Sequence, residues 1–452
     1  FEDMLMVPFS GVYDTYLIPN AHPDPERRLS QLCDAVRLIY ASLYSTTARA
    51  YFDASGYKIE EERMAVVIQE LVGTRRGRWY YPLISGTAQS YNYYPVSYLK
   101  PDDGLCVAAL GLGPYVVEGG EAHRFCPRYP KLDVVPPGRG LGGTQRWFYA
   151  LDMERLDFDL TQGEEATLSR LDVAEAEADP GFAMVASTWS VEDDRLEPGV
   201  SARGPRIVDF APVLKYDSFP FAEVVEAVLE VGTKSMGIPV EIEYAVSDDG
   251  PGGAPVFYML QIKPLIQRSD RVSVDLGAIV RGQCLVASER CMGNGRVRGV
   301  RDIVYVDPTR WNPAESGAVA AEIAGLNERL KAEGRPYALV GPGRWGTRDH
   351  SLGVPVNFAQ ISNAKAIVEA DLPDFRVDSS LGSHFFHNVT AMNIGYFSAA
   401  YGSLSSFVDW DALAALPLVA RTAHCSLVRA ERELEILMDG GRGHGVIRPS
   451  SD

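Results

Sequence analysis

The stretch Pro239–Pro264, PVEIEYAVSDDGPGGAPVFYMLQIKP, decides how the rest of the chain is read. Its first half is an apolar run that carries Glu241 and Glu243 two residues apart. Alternate residues of a strand face the same side, so the two carboxylates point together. The Asp- and Gly-rich segment from Ser247 to Pro255 reads as a loop, and the second apolar run carries Gln261 and Lys263 at the same spacing. A hairpin would gather all four side chains into one patch. Two carboxylates and an amide oxygen are hard ligands that suit Mg2+, and a lysine beside them would offset phosphate charge in phosphoryl transfer. On spacing alone the plainer account is favoured, an exposed strand face with a cross-strand Glu–Lys pair.

Upstream of the hairpin, apolar residues at helical spacing predict a helix from Phe221 to Met236, with Gly237 as its stop. A longer helix is expected over Leu29–Ser55, ended by Gly56. The β-branched run Met64–Val72, MAVVIQELV, reads as a buried strand, and GRWYYPLISG and GLCVAALGLG read as strands bounded by glycines. This alternation predicts an α/β (α+β) domain from Phe1 to Arg268. A Val-, Gly- and Arg-rich stretch of short strands follows. A helix is then expected over Ser316–Glu333, with Val319, Ile323, Leu326 and Leu330 on one face and Gly334 beyond. A second, mixed α/β domain is placed from Ser269 to Asp452. There is no internal repeat, low-complexity tract or heptad run.

Composition narrows the function. At 452 residues the chain is too long for one core, and 46% hydrophobic with 23% charged residues is the balance of a globular protein. A net charge of −17 argues against a nucleic-acid partner. The acid is concentrated: Leu151–Val200 holds 14 Asp and Glu against 3 Arg, which reads as a solvated surface. No apolar run approaches the roughly 18 residues that span a membrane. The six scattered cysteines form no C-x-x-C, and free thiols in a reducing cytoplasm are the simplest account.

Four ordered segments carry a resemblance. VEIEYAV…VFYMLQIKP resembles the paired-acid strand and following glutamine strand of the nucleotide-binding domain in the phosphoenolpyruvate synthase and pyruvate phosphate dikinase family. FEDMLMVPFSGVYDTYLIPN is similar to its glycine-containing phosphate loop, RMAVVIQELV to its adenine-binding strand and hinge, and ISGTAQSYNYYP…CVAALGLGPYVVEGG to its next hairpin and glycine-rich turn. The resemblance implies an ATP-grasp-like fold that binds ATP and Mg2+. It implies that Glu241 and Glu243 hold Mg2+ against the phosphates, with Gln261 on the metal or a phosphate. Lys263 stands where the family usually has Arg and keeps the charge without the planar fork. Gly11 and Thr15 would lie by the phosphates, and Gln69, Glu70 and Val72 would line the adenine pocket. Pro114 stands where the family often has Glu, which implies either that Glu118 substitutes or that the contact is lost. The family's catalytic Lys and Arg belong to an N-terminal lobe that would precede Phe1. The expectation is therefore a partial domain whose missing lobe or acceptor domain is a separate partner, and which alone binds nucleotide weakly and turns over little.

The second half is less informative. YALVGPGRWG runs into a glycine turn at Arg344, read as an ordinary turn in preference to an anion nest. GSHFFHN carries His384 and His387. A histidine after Gly-Ser faintly echoes the family's phosphohistidine loop, while histidine pairs in aromatic strands are more often core or surface residues. The whole pattern resembles bacterial proteins with a phosphoenolpyruvate- or pyruvate-binding domain that end in a similar GPGRWG module, a likeness that gives no substrate. Two functions compete: the ATP-binding part of a dikinase-type phosphotransferase, or a catalytically degenerate module that senses nucleotide or scaffolds a partner.

Overall fold

The computed structural model describes residues 9–55, 57–93, 95, 98–132, 144–190, 192–193, 195–248, 253–265, 272–279, 281–377, 383–392 and 394–450. The first eight residues of the expected phosphate loop and the expected boundary at 268–269 lie outside them. The hairpin forms. Alternating β-branched and polar residues give β4 (Val240–Ser247) and β5 (Val256–Pro264). Their register sets Glu241 opposite Lys263 and Glu243 opposite Gln261, with a bulge just after Glu243. On its other edge β4 pairs with β1 (Ile84–Gln89), which sets Gln89 beside Glu241 and Thr87 beside Glu243. With β2 (Leu105–Ala109) and β3 (His123–Phe125) these make an antiparallel sheet in the order β5-β4-β1-β2-β3.

The sheet has two unlike faces because its side chains alternate. Ile242, Tyr244, Ala88, Cys106 and Ala108 share an apolar cluster with Phe221, Val225 and Leu229 of helix α3 (Phe221–Met236). The Phe221 and Tyr244 rings lie 5.6 Å apart. Gly237, at φ +72°, ends α3 where the sequence predicts. The opposite face bears Gln89, Thr87, Glu241, Glu243, Gln261 and Lys263.

What covers that polar face comes from the rest of the chain. Strands β6 (Asn294–Val306), β7 (Tyr337–Pro342), β8 (Ala364–Ala370) and β9 (Gly395–Ala399) run parallel and in sequence order inside a ten-stranded sheet. Helix α4 (Ser316–Ala332) and helix α5 (His384–Ala391) bury Val319, Ile323, Leu330, Phe385 and Val389 on one of its faces. Phe9, Val12, Tyr51 and Phe52 from the other end of the chain join the same cluster, and Tyr51 stacks on Phe358 at 4.1 Å. The two halves therefore share this cluster, apart from the one beneath the N-terminal sheet.

Three expectations need correction. The single helix over Leu29–Ser55 is two, α1 (Pro25–Ser42) and α2 (Thr46–Ser55), because the Ser45 hydroxyl accepts the Ala48 N–H and starts a new helix. Met64–Val72 is not a buried strand. Val67 and Ile68 are 75% and 64% exposed, and no strand among the described residues pairs with the run. The histidines of GSHFFHN sit on a helix, not in an aromatic strand.

Asn388 on α5 fastens the chain ends. Its side chain accepts the Ser10 N–H at 2.7 Å and donates to Ser10 O at 2.7 Å and to the Tyr51 hydroxyl at 2.8 Å. Asn388→Ala leaves these buried groups unpaired and is expected to lower stability by about 2–4 kcal/mol, read by urea denaturation.

Candidate functional site

The polar face presents two rows across three strands. Gln89, Glu241 and Lys263 form one, and Thr87, Glu243 and Gln261 form the other. Glu241 is 5% exposed; it accepts from Gln89 Nε2, and His387 Nδ1 stands 3.5 Å from its other oxygen. Glu243 lies 3.4 Å from Lys263 Nζ and 3.6 Å from His384 Nε2. Burial alone would raise its pKa, but His384 and Lys263 together hold it down to about 2. Lys263 Nζ also donates to Ser10 Oγ at 2.7 Å. The next residue, Gly11, sits at φ +63°, and a Cβ there would lie 2.6 Å from His384 Nδ1. Only glycine lets the turn close on the imidazole.

The structure thus brings together Gly11, Glu241, Glu243, Gln261, Lys263 and His384. The sequence reading named His387 only as the second histidine of GSHFFHN, and it missed Ser10, Thr87 and Gln89. The signals were present as the i, i+3 spacing of the histidines and the alternating polar residues of ISGTAQ.

The face suits a hard cation. Thr87 Oγ1, Gln89 Oε1 and Ser85 Oγ are buried without a hydrogen-bond partner, and all three lie on the carboxylate side of β1. Such oxygens want a donor, a water or a cation. No group of three or more His, Cys, Asp or Glu among the described residues forms a cage for a metal ion.

A second group borders this one. Arg344, 3% exposed, donates to Gly119 O at 2.8 Å, so the GPGRWG turn is docked on the glycine-rich turn Gly119–Gly120. Four residues on, Arg348 lies 2.7 Å from Glu118, 2.8 Å from Glu165 and 3.5 Å from Glu164. Thr15 is here too, its N–H donating to Glu164 Oε1 at 2.6 Å. Burial pushes the Glu118 carboxyl up to about 7, helped by Glu165 and Glu164 and opposed by Arg348 and His384. Gln69 and Glu70 are exposed and Val72 half-buried on the extended segment that Tyr80 holds through its bond to Leu71 O at 2.7 Å. Among the described residues no hydrogen bond joins these three to the carboxylate rows.

A sequence profile of the pyruvate phosphate dikinase AMP/ATP-binding domain matches residues 1–279, which includes both strands of the β4–β5 hairpin and the Gly11 turn. The chain belongs to the pyruvate phosphate dikinase AMP/ATP-binding domain family. No curated protein matches the chain. The polar face, the Gly11 turn and the glycine-rich turn at Gly119 all fall within the dikinase-family domain. His384, His387 and Arg348 lie beyond it and reach back to it. No helix among the described residues is long and apolar enough to cross a membrane.

The raised Glu118 has a pH consequence. Between its ordinary value of 4.5 and about 7 the folded chain keeps a proton that the unfolded chain releases. Stability therefore falls as pH rises through that window. Glu118→Gln is expected to gain on the wild type by about 1–3 kcal/mol between pH 5 and pH 8, measured by chemical denaturation at both values.

Proposed function

We propose that this chain is the ATP-handling part of a dikinase-type phosphotransferase, with Glu243 and Gln261 as its metal-binding pair. The observation that carries the reading is the ionised Glu243, set between Lys263 and His384 with Gln261 on the neighbouring strand. Glu243 and Gln261 would hold Mg2+, with Glu241 beside them once it leaves Gln89 and His387. The bound ion would draw charge from the phosphate oxygens and fix their direction. Lys263 offsets phosphate charge from the end of its row. Gly11 brings backbone N–H groups close without a side chain, and Thr15 follows in the same segment. Gln69, Glu70 and Val72 line the adenine site from the exposed segment. The ATP-grasp-like architecture and a cytoplasmic setting belong to the same reading.

His384 is the proposed acceptor. Its imidazole lies against both Gly11 and Glu243, where a transferred group would arrive. A ring nitrogen would bond the β-phosphorus, the bond to the AMP oxygen would break, and water would take the terminal phosphate. The competing reading, a nucleotide sensor without turnover, is favoured by one observation: α5 already packs its histidines across the carboxylates.

A thermal-shift titration with ATP separates the two. The transferase reading expects a rise of several degrees that needs Mg2+ and is lost in Glu243→Gln. A rise indifferent to Mg2+ supports the sensor. Incubation with ATP labelled at the β-position is expected to leave acid-labile phosphate on the wild type and none on His384→Ala. Equal labelling of both would remove His384 from the mechanism.

A further inference from the structure

Glu164 is held at both carboxylate oxygens. Oε1 accepts the Thr15 N–H at 2.6 Å, and Oε2 lies 3.5 Å from Arg348 Nη2. One anion thus bridges a backbone amide just past the Gly11 turn and a guanidinium from the opposite half of the chain. The carboxylate is poorly placed for its own charge. Burial raises its pKa and Asp14 adds like charge, against the lowering by Thr15 and Arg348. Arg348 for its part faces three carboxylates, Glu118, Glu165 and Glu164, so the group carries surplus negative charge. An amide N–H beside a planar guanidinium is an arrangement that recognises phosphate oxygens. A carboxylate is the side-chain group nearest to it in shape and charge.

Resting on the nucleotide reading above, we propose that Thr15 N–H and Arg348 form a seat for a phosphate of ATP, which the Glu164 carboxylate fills until nucleotide displaces it. The seat adjoins the reacting groups. Glu118, which shares Arg348, lies close enough to His384 to interact with its charge, and His384 touches Gly11 and Glu243. Glu164 is 33% exposed and has solvent to turn into. The C-terminal half thereby supplies a planar phosphate-binding fork that Lys263 does not have.

Calorimetric titration of the full chain with Mg2+-ATP tests the seat. Arg348→Ala is expected to weaken binding about ten- to hundredfold, and Arg348→Lys by less, since it keeps charge without the fork. Glu164→Gln removes the competing charge and is expected to tighten binding about three- to tenfold. Glu165→Gln makes the same charge change on a carboxylate that touches Arg348 but not Thr15. Because Glu164 still fills the seat in that variant, its gain is expected to be smaller than that of Glu164→Gln. If Arg348 only latches the two halves, Arg348→Ala and Glu164→Gln would shift the melting temperature without nucleotide and move affinity in the same direction, or not at all. That result, or a Glu165→Gln gain equal to that of Glu164→Gln, overturns the seat. Should Arg348→Ala fail to fold, the Glu164→Gln and Glu165→Gln pair still decides. A wild type that binds no Mg2+-ATP brings down the nucleotide reading and the seat together. A wild type that binds, with Arg348→Ala unchanged, brings down the seat alone.

Discussion

Glu243 keeps its charge because Lys263 and His384, from different halves of the chain, hold it there. Lys263 arrives on the neighbouring strand, fixed by hairpin register. His384 arrives on α5, fixed by the packing of Phe385 and Val389 into the C-terminal sheet. Loss of either would expose the carboxylate to its desolvation cost. The electrostatics of the polar face thus depend on how the halves dock, and the docking on contacts such as Ser10 with Asn388.

Charge is the second theme of the face. The described site gathers Glu241, Glu243, Glu118, Glu164 and Glu165 around few cations, in keeping with the net charge of −17. An anionic ligand entering such a place needs charge brought with it or released on arrival. The buried oxygens of Thr87 and Gln89, without partners, point the same way. In the proposed reading a divalent ion would answer both needs, since it neutralises carboxylates and accepts neutral oxygens in one shell.

Much of this was legible in the sequence, for physical reasons that differ by element. The hairpin was readable because period-two spacing is local, and α3 because its apolar stripe ends at a glycine able to adopt positive φ. The helix break at Ser45 was hidden because the apolar spacing carries on across it, and only the hydroxyl marks the cap. The Met64–Val72 run misled because β-branched density measures fitness for a sheet, not the presence of a neighbour. His384 was singled out but read as part of an aromatic strand. Its true partners, Gly11 and Glu243, are far away along the chain, and no local pattern encodes that meeting. Arg348 was hidden for the same reason.

The shared cluster has a consequence for how the molecule comes apart. Phe9, Tyr51 and Phe52 belong to the amino-terminal end yet bury themselves against Phe358 and α4. Cutting the chain between its halves would strip cover from both sides of that cluster and leave two sticky remnants, not two independent modules. Melting should accordingly be one cooperative event, with the nucleotide face and the carboxy-terminal sheet lost at the same temperature.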